Sequence, residues 1–231
     1  MRDPAPLLFR GKTARRLARV GAALLLGALA AAPGCNYAAA AAYVIAGPPK
    51  VDARYKLDKT KKTVVFIDDR TNVVPRRSLR LVMGETVESE LILNAGMDPA
   101  LLIPAQSTLR ATSAERLGTP MTVVDIGRVV GAEIIIYAVV KKFALTPDGV
   151  VYSPSGEAEV KIFDATNNRR LFPPSGDGLA VNMLLPMTDN MPTGIAEKNA
   201  AEEAAARALG VQIARTFYSY ERDALSGNLD D

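Results

Sequence analysis

Residues 131–140 have the sequence GAEIIIYAVV, and this stretch decides the fold class. The run from Ile134 to Val140 shows no alternation of polar and apolar residues, which is typical of a strand covered on both faces. Such a strand belongs at the centre of a sheet. Gly131, directly before it, is the residue type that commonly ends a helix. The stretch therefore predicts a helix, a tight connection and a central strand.

Other segments have the composition of strands that flank this centre. We expect a first strand at residues 63–67, because they are mostly β-branched and are followed by Asp68, Asp69 and Arg70. Residues 157–163 alternate strictly between charged and apolar side chains, which indicates a strand with one solvent-facing side. Shorter strands are expected at residues 101–103, 170–172 and 179–185.

Apolar residues recur at helical spacing in three segments. Ser78 is expected to cap a helix at residues 79–93, and Thr119 to cap the helix that ends at Gly131, with Pro120 at its first position. From residue 193 a long amphipathic helix is predicted from an apolar stripe at Ala201, Ala205, Leu209, Ile213 and Phe217. Together these elements predict a single α+β domain over residues 63–222. It has a mixed sheet of about five strands flanked by helices, and a frayed tail at residues 223–231.

An export signal precedes this domain. The first 34 residues contain six basic residues and one acidic residue. Their apolar run at residues 20–32 has the length of a secretory signal and is short for a bilayer span. Ala32-Pro33-Gly34-Cys35 resembles the lipobox of bacterial lipoproteins, whose cysteine is diacylated and becomes the mature N-terminus, although Ala32 stands where the family usually has Leu. We expect a lipoprotein signal peptide at residues 1–34 and lipid attachment, including palmitate, at Cys35.

Two alternatives stay open for this segment. In one, a different signal peptidase cuts at a nearby small residue, which leaves Cys35 free or removes it. In the other, residues 20–49 are retained as a membrane anchor. Residues 35–62 contain an alanine run, Gly47-Pro48-Pro49 and clustered lysines. They are expected to be the lipidated N-terminus and a flexible tether to the domain.

Composition excludes several kinds of chemistry. The chain has no His and one Cys, which excludes a Ser-His-Asp triad, a His-ligated zinc site and an internal disulfide. Without the leader, 22 basic residues face 24 acidic ones, a net charge of −2, so there is no electrostatic reason to bind nucleic acid. We expect no cofactor and no metal. Stability should be flat between about pH 6 and 8 unless a carboxyl group is strongly shifted.

No arrangement of side chains in the sequence predicts catalysis. Asp68 and Asp69 follow a strand, but adjacent strand residues point to opposite faces and do not easily share a metal. Residues 164–168 lack the Gly and the Glu of a calcium loop, and residues 176–178 lack the third Gly of a dinucleotide fingerprint. Both segments are interpreted as turns or loops. The chain is therefore predicted not to be an enzyme.

The loop that leaves the first strand is the predicted partner surface. It has both charge signs and an apolar pair, and it lies between two regular elements, where exposed residues are held by a rigid scaffold. The residues concerned are Asp69, Arg70, Val73, Val74, Arg76 and Arg77. The alternative is that Val73 and Val74 tuck under the loop while the arginines are merely solvated.

Three motifs, together with the lipobox-like segment, resemble outer-membrane lipoproteins related to the curli secretion lipoprotein and the penicillin-binding-protein activator lipoproteins. The motifs are VVFID at residues 64–68, VVGAEIII at 129–136 and AEVKIFD at 158–164. The resemblance covers about residues 63–220 and implies a mixed sheet flanked by helices that acts through protein contacts. Two features depart from the group. The tether is shorter than in the activator lipoproteins, and only residues 179–187 alternate as the membrane-inserted hairpins of the curli channel do.

The sequence thus predicts a non-catalytic binding or assembly module of the bacterial cell envelope. We expect it to be lipid-anchored at the outer rather than the inner membrane and to face the periplasm. Its expected partners are the membrane and an envelope protein, and homo-oligomerisation stays open. Three alternatives remain: an envelope enzyme that acts on glycans with carboxylates alone, a subunit of a secretion channel, and a lipoprotein with a purely structural role. The enzyme would bring two carboxylates to within about 5–9.5 Å of each other in one pocket.

Overall fold

The computed structural model describes residues 50–113, 121–188 and 191–221. The predicted signal peptide, Cys35, the proposed cap Thr119 with Pro120, and the tail lie outside the described residues. The described strands are β1 (Lys50–Val51), β2 (Thr63–Asp68), β3 (Leu102–Ile103), β4 (Ile134–Ala144), β5 (Ser155–Asp164), β6 (Arg169–Phe172), β7 (Leu179–Leu184) and β8 (Tyr220–Glu221). The described α-helices are α1 (Arg77–Leu93), α2 (Gln106–Ser113), α3 (Val123–Val130) and α4 (Ile195–Ala214).

The main sheet is mixed and has six strands. Its order is β3-β2-β4-β5-β6, and β7 pairs with the part of β5 that β6 leaves unpaired. Strands β2, β3 and β4 are parallel to one another, whereas β5 is antiparallel to its neighbours β4, β6 and β7. Strand β4 lies between β2 and β5, and every residue from Ile134 to Val140 is buried. The predicted α+β fold with a central, doubly covered strand is confirmed.

Helices α1 and α4 cover one face of the sheet and pack against each other. The fully buried Leu79, Met83 and Leu91 of α1 meet Leu209 and Ile213 of α4 in the larger hydrophobic cluster. The predicted amphipathic C-terminal helix is therefore confirmed, and its apolar stripe faces the core. A large area of apolar side chain leaves water here, and this burial is the main stabilising contribution to such a fold.

Helices α2 and α3 lie against the opposite face, over β2 and β4. Val124 and Ile126 of α3 pack on Phe66, Ile135 and Tyr137 in a second, smaller cluster. Gly127 allows this close approach, since a Cβ there would lie 2.3 Å from Cδ1 of Ile135. They reach β5 at its end, where Phe163 packs against the same cluster, and the rest of this face is only partly covered.

Helix boundaries differ from the sequence predictions where capping was misassigned. The N-cap of α1 is Arg76, not Ser78, and it makes no side-chain capping bond. Helix α3 begins at Val123, and its cap is Thr122, whose Oγ1 accepts a hydrogen bond from the Asp125 N–H. The predicted stop is confirmed, because Gly131 ends α3 with a left-handed φ of 81°.

The segment from residue 50 to 62, predicted as part of a tether, lies on the domain. Strand β1 pairs with β8, and the N–H groups of Arg54 and Tyr55 donate to the Thr216 carbonyl over 2.9 and 3.0 Å. Residues 50–58 alternate between exposed and half-buried positions, and Tyr55 and Leu57 pack against the larger cluster. Residues 50–58 are therefore part of the folded domain in the structure, whereas the sequence prediction began the domain at residue 63. The reason is that apolar residues at every second position bury one side of the segment.

None of the helices in the three described ranges combines the length and the apolar character that crossing a bilayer requires.

Candidate functional site

The loop after β2 is organised by the side chain of Asp69. Its two carboxylate oxygens accept hydrogen bonds from the N–H groups of Val73 and Val74, each over 2.9 Å. Short acidic side chains commonly stabilise turns in this way. Val74 is buried and Val73 packs against the larger cluster. Val73 and Val74 therefore pack against the core, as the alternative interpretation of this loop predicted.

Arg70 belongs to a hydrogen-bonded group at the carboxyl end of β2. The Tyr137 hydroxyl donates to Oδ2 of Asp68 over 2.6 Å, and Nε of Arg70 is 3.1 Å from both Oδ2 and the Tyr137 hydroxyl oxygen. Burial, together with the hydrogen bond to Asp68, raises the pKa of Tyr137. The phenol therefore stays protonated at neutral pH and donates its proton to the Asp68 carboxylate in a hydrogen bond.

The two other predicted arginines also bond within the chain. Nε of Arg76 donates to Oε2 of Glu202 over 2.8 Å, and its Nη2 donates to the Asn199 carbonyl. Arg77 donates to the Leu109 carbonyl and to the Ser113 hydroxyl. Arg70 and Arg77 are exposed, whereas Arg76 is half-buried. The structure places all six predicted residues around one loop, and contact of this loop with a partner stays a prediction.

A larger exposed surface lies next to this loop, on the part of the sheet that α2 and α3 leave uncovered. We call it the open face, and it consists of Lys141, Glu157, Glu159, Lys161, Ala180, Asn182 and Leu184. Lys141 Nζ is 3.2 Å from Oε2 of Glu159. Lys161 stands directly across from Tyr137 in the β4–β5 register, so the open face continues into the Arg70 group.

The sequence contained a signal for the open face. The strict alternation at residues 157–163 predicted a solvent-facing side of β5, and the structure confirms it with buried Ala158, Val160 and Ile162 opposite half-exposed charged residues. The sequence analysis did not identify Lys141 and Asn182 as part of the open face. They become visible only when the register places β4 and β7 on either side of β5.

Three of the cavities in the described part of the chain differ in the charge of the side chains that line them. The first, lined by Asp52 among others, has one carboxylate. The second, beside Lys56 and Lys59, and the third, beside Arg77 and Arg110, have none. None of the three brings together the pair of carboxylates that the glycan-directed alternative requires. Within the described ranges, no group of three Asp, Glu or Cys side chains is arranged to hold a metal ion.

No family model and no curated protein matches this chain. Among solved structures, it is similar to the hypothetical protein CT253 from Chlamydia trachomatis, at 16% identity and a TM-score of 0.38, over 68% of this chain and 93% of that one. It is similar to the PelC dodecamer from Paraburkholderia phytofirmans, at 12% identity and a TM-score of 0.39, over 74% and 96% of the two chains. It is also similar to lipoprotein GNA1162 from Neisseria meningitidis, at 12% identity and a TM-score of 0.39, over 60% and 92%. These values are too low to assign the chain to a family.

The charged side chains around the open face and the loop are engaged with one another. The phenol of Tyr137 is held protonated, the carboxylates of Asp68, Asp69 and Glu159 already accept hydrogen bonds or an ion pair, and Arg70 is tied to Asp68. The arrangement is a polar surface that carries both charge signs.

Proposed function

We propose that this chain is a lipid-anchored protein of the bacterial cell envelope whose folded domain is a non-catalytic binding or assembly module. In this proposal Cys35 is diacylated, and the domain faces the periplasm from the outer membrane. The observation that supports a binding role is the open face, because no described helix covers this part of the sheet.

The composition of the open face fits a protein contact. It combines Lys141 and Lys161 with Glu157 and Glu159, and at its margin Leu184 is 54% exposed. A surface with both charge signs can orient a partner that carries the complementary pattern of charge. The partner in this proposal is another envelope protein or a second copy of the chain.

The module is tested by placing a photo-cross-linking amino acid at Asn182, which is exposed on β7. Irradiation of intact cells should give a discrete adduct whose mass and peptides identify either a second copy or another envelope protein. Lys198 is the matched control position, because it is exposed on the first turns of α4, away from the open face. Equal adducts from both positions, or none from Asn182, would contradict the proposed interface.

The anchor is tested separately by metabolic labelling with palmitate. The wild-type chain should be labelled and sediment with membranes, and Cys35→Ala should lose the label. Label that persists in Cys35→Ala would refute lipidation at this residue and leave the alternatives of a retained anchor or a different cleavage.

The enzyme and channel alternatives gain no support from the described residues. The three cavities lack paired carboxylates, as described above. Residues 179–184, which make up most of the alternating segment 179–187, form β7 and pair with β5 inside the main sheet. Its outward side chains belong to the open face, which is why the segment alternates.

A further inference from the structure

A shallow groove of about 370 Å³ lies where the segment of residues 53–59 meets the end of α1 and the residues after α4. Its floor is apolar, since Leu57 and the buried Met97 and Phe217 line it. Lys56 and Lys59 line its rim and are exposed. A groove with an apolar floor and ammonium groups at its margin matches the boundary between acyl chains and anionic headgroups.

An exposed leucine stands beside this groove. Leu93 is the last residue of α1, directly before the groove residue Asn94, and it is 76% exposed. Ile92 next to it is 36% exposed. Exposed apolar side chains and exposed lysines therefore occur at the same end of the domain.

Positive charge is concentrated in residues 50–62, the segment that contributes Lys56 and Lys59 to the groove. Residues 50–62 contain six basic and two acidic residues, a net charge of +4, whereas residues 63–231 contain 16 basic and 22 acidic residues, a net charge of −6. An anionic bilayer attracts the first group and repels the second, so it orients the domain with residues 50–62 toward the lipid.

The chain also leaves the described domain at this end. Lys50 in β1 pairs with Glu221, and the hydroxyl of the groove residue Ser219 is 3.3 Å from Oδ1 of Asp52. A lipid on Cys35 is 15 residues from Lys50 in sequence, at most about 50 Å of extended chain. The first described residues therefore lie at the same end of the domain as the groove.

We propose that this end of the domain docks onto an anionic phospholipid bilayer, with Leu93 in contact with the acyl boundary and Lys56 and Lys59 in contact with headgroup phosphates. This proposal rests on the membrane anchorage proposed above and adds an orientation to it.

The test uses the full mature protein purified from membranes and reconstituted in vesicles. Leu93→Cys is labelled with the environment-sensitive dye NBD, and Ile195→Cys is the matched control. Ile195 is also an exposed apolar residue, but it lies at the start of α4, about 30 Å along the helix from the groove. In vesicles that contain phosphatidylglycerol, NBD emission at position 93 should shift to the blue and be quenched by nitroxide-labelled lipid. In neutral phosphatidylcholine vesicles the shift should be absent, as it should at position 195 in both.

Charge variants in the labelled Leu93→Cys background test the lysines. Each of Lys56→Gln and Lys59→Gln should lower the ratio of docked to undocked domains about fivefold, whereas Lys198→Gln should leave it unchanged. Equal emission in neutral and anionic vesicles, an equal shift at position 195, or insensitivity to both lysine changes would overturn the proposal.

A control protein without an introduced cysteine shows whether Cys35 is acylated, independently of whether the domain docks. If Cys35 is acylated, that protein takes up no dye. If it does take up dye, the anchor proposal fails, and the docking test is repeated in a Cys35→Ala background, where the same dependence on phosphatidylglycerol and on Lys56 and Lys59 is required.

Discussion

The guanidinium group of Arg76 and the carboxylate of Glu202 join the start of α1 to the middle of α4 over 126 residues of sequence. Nε of Arg76 is 2.8 Å from Oε2 of Glu202, and the Glu202 side chain is only 4% exposed. The arginine was predicted as part of a partner surface. In the structure it neutralises a buried carboxylate between two helices of the core.

Removing Arg76 should destabilise the domain strongly. Arg76→Ala leaves Glu202 buried without its partner, which we expect to lower the free energy of unfolding by about 3 kcal/mol. Urea denaturation measures this. The double variant Arg76→Met with Glu202→Leu should recover most of the loss, because no buried charge remains. Arg207→Ala breaks the more exposed pair with Glu203, at 3.9 Å, and should change stability by less than about 1 kcal/mol. Similar losses for Arg76→Ala and Arg207→Ala would contradict the burial argument.

Glu88 should make stability depend on pH in the neutral range. Burial, with a smaller contribution from the charge of Glu85, raises the pKa of Glu88 to about 7, although the Ala105 N–H donates to its carboxylate. In the unfolded chain this group ionises near its ordinary pKa of 4.5. Protonation therefore favours the folded state, and this contribution is complete below about pH 4.5 and is lost as the pH rises to about 7 and above.

Glu88→Gln should remove this dependence. The variant should be more stable than the wild type at about pH 8 and close to it at about pH 4.5, since the amide oxygen can still accept from the Ala105 N–H. Glu85→Gln, at an exposed position of the same helix, should retain most of the wild-type slope. Denaturation midpoints across this pH range give the measurement, and parallel curves for wild type and Glu88→Gln would contradict it. A flat profile between about pH 6 and 8 was expected from the absence of His, and Glu88 is the shifted carboxyl group that changes this expectation.

Gly210→Ala should separate α1 from α4. A Cβ at residue 210 would lie 2.8 Å from the Met83 carbonyl oxygen and 2.8 Å from Cβ of Thr86. Because the first of these is backbone, a helix must move, and we expect a loss of about 1–3 kcal/mol despite the higher helix propensity of alanine. Thermal unfolding tests this. Ala204→Gly, at an exposed position of α4, isolates the propensity effect and should cost about 1 kcal/mol. A stabilised Gly210→Ala protein would show that the helices have room to adjust.

The start of the folded chain can be located by truncation. A chain that begins at Lys50 should have the stability of the full domain, whereas one that begins at Thr63 should lose at least about 2 kcal/mol. The shorter chain loses the packing of Tyr55 and Leu57 and both hydrogen bonds to the Thr216 carbonyl. Urea midpoints of the two chains compare them directly. Equal midpoints would mean that residues 50–62 add nothing to stability.

The order of the elements could be predicted because local patterns were strong and agreed with each other. The apolar run from Ile134 to Val140 identified the central strand, and Gly131 identified the stop of α3 because only a residue without Cβ adopts its left-handed conformation easily. The stripe along α4 identified the core side of the last helix. In each case the burial that stabilises the element also sets its sequence period.

The missed features depend on contacts between distant segments. Helix α2 was not predicted, since it is short and has one fully buried residue, Thr108. The pairing of Arg76 with Glu202 cannot be inferred from spacing, because it requires the crossing of α1 and α4. Residues 51–57 did have a period of two, but the surrounding lysines favoured a tether over a strand-like segment. The open face needed the register between β4, β5 and β7, which follows from the folded sheet rather than from any one strand.

The pairing of Lys50 with Glu221 brings the two ends of the described domain to neighbouring strands, about 5 Å apart. A domain whose ends meet in this way is topologically a closed unit. A few residues would be enough to join the ends, and new ends could be opened at an exposed turn such as residues 146–149 without breaking the main sheet. The same unit could be inserted as a cassette into a surface loop of another protein, and its fold would not require either flank to move.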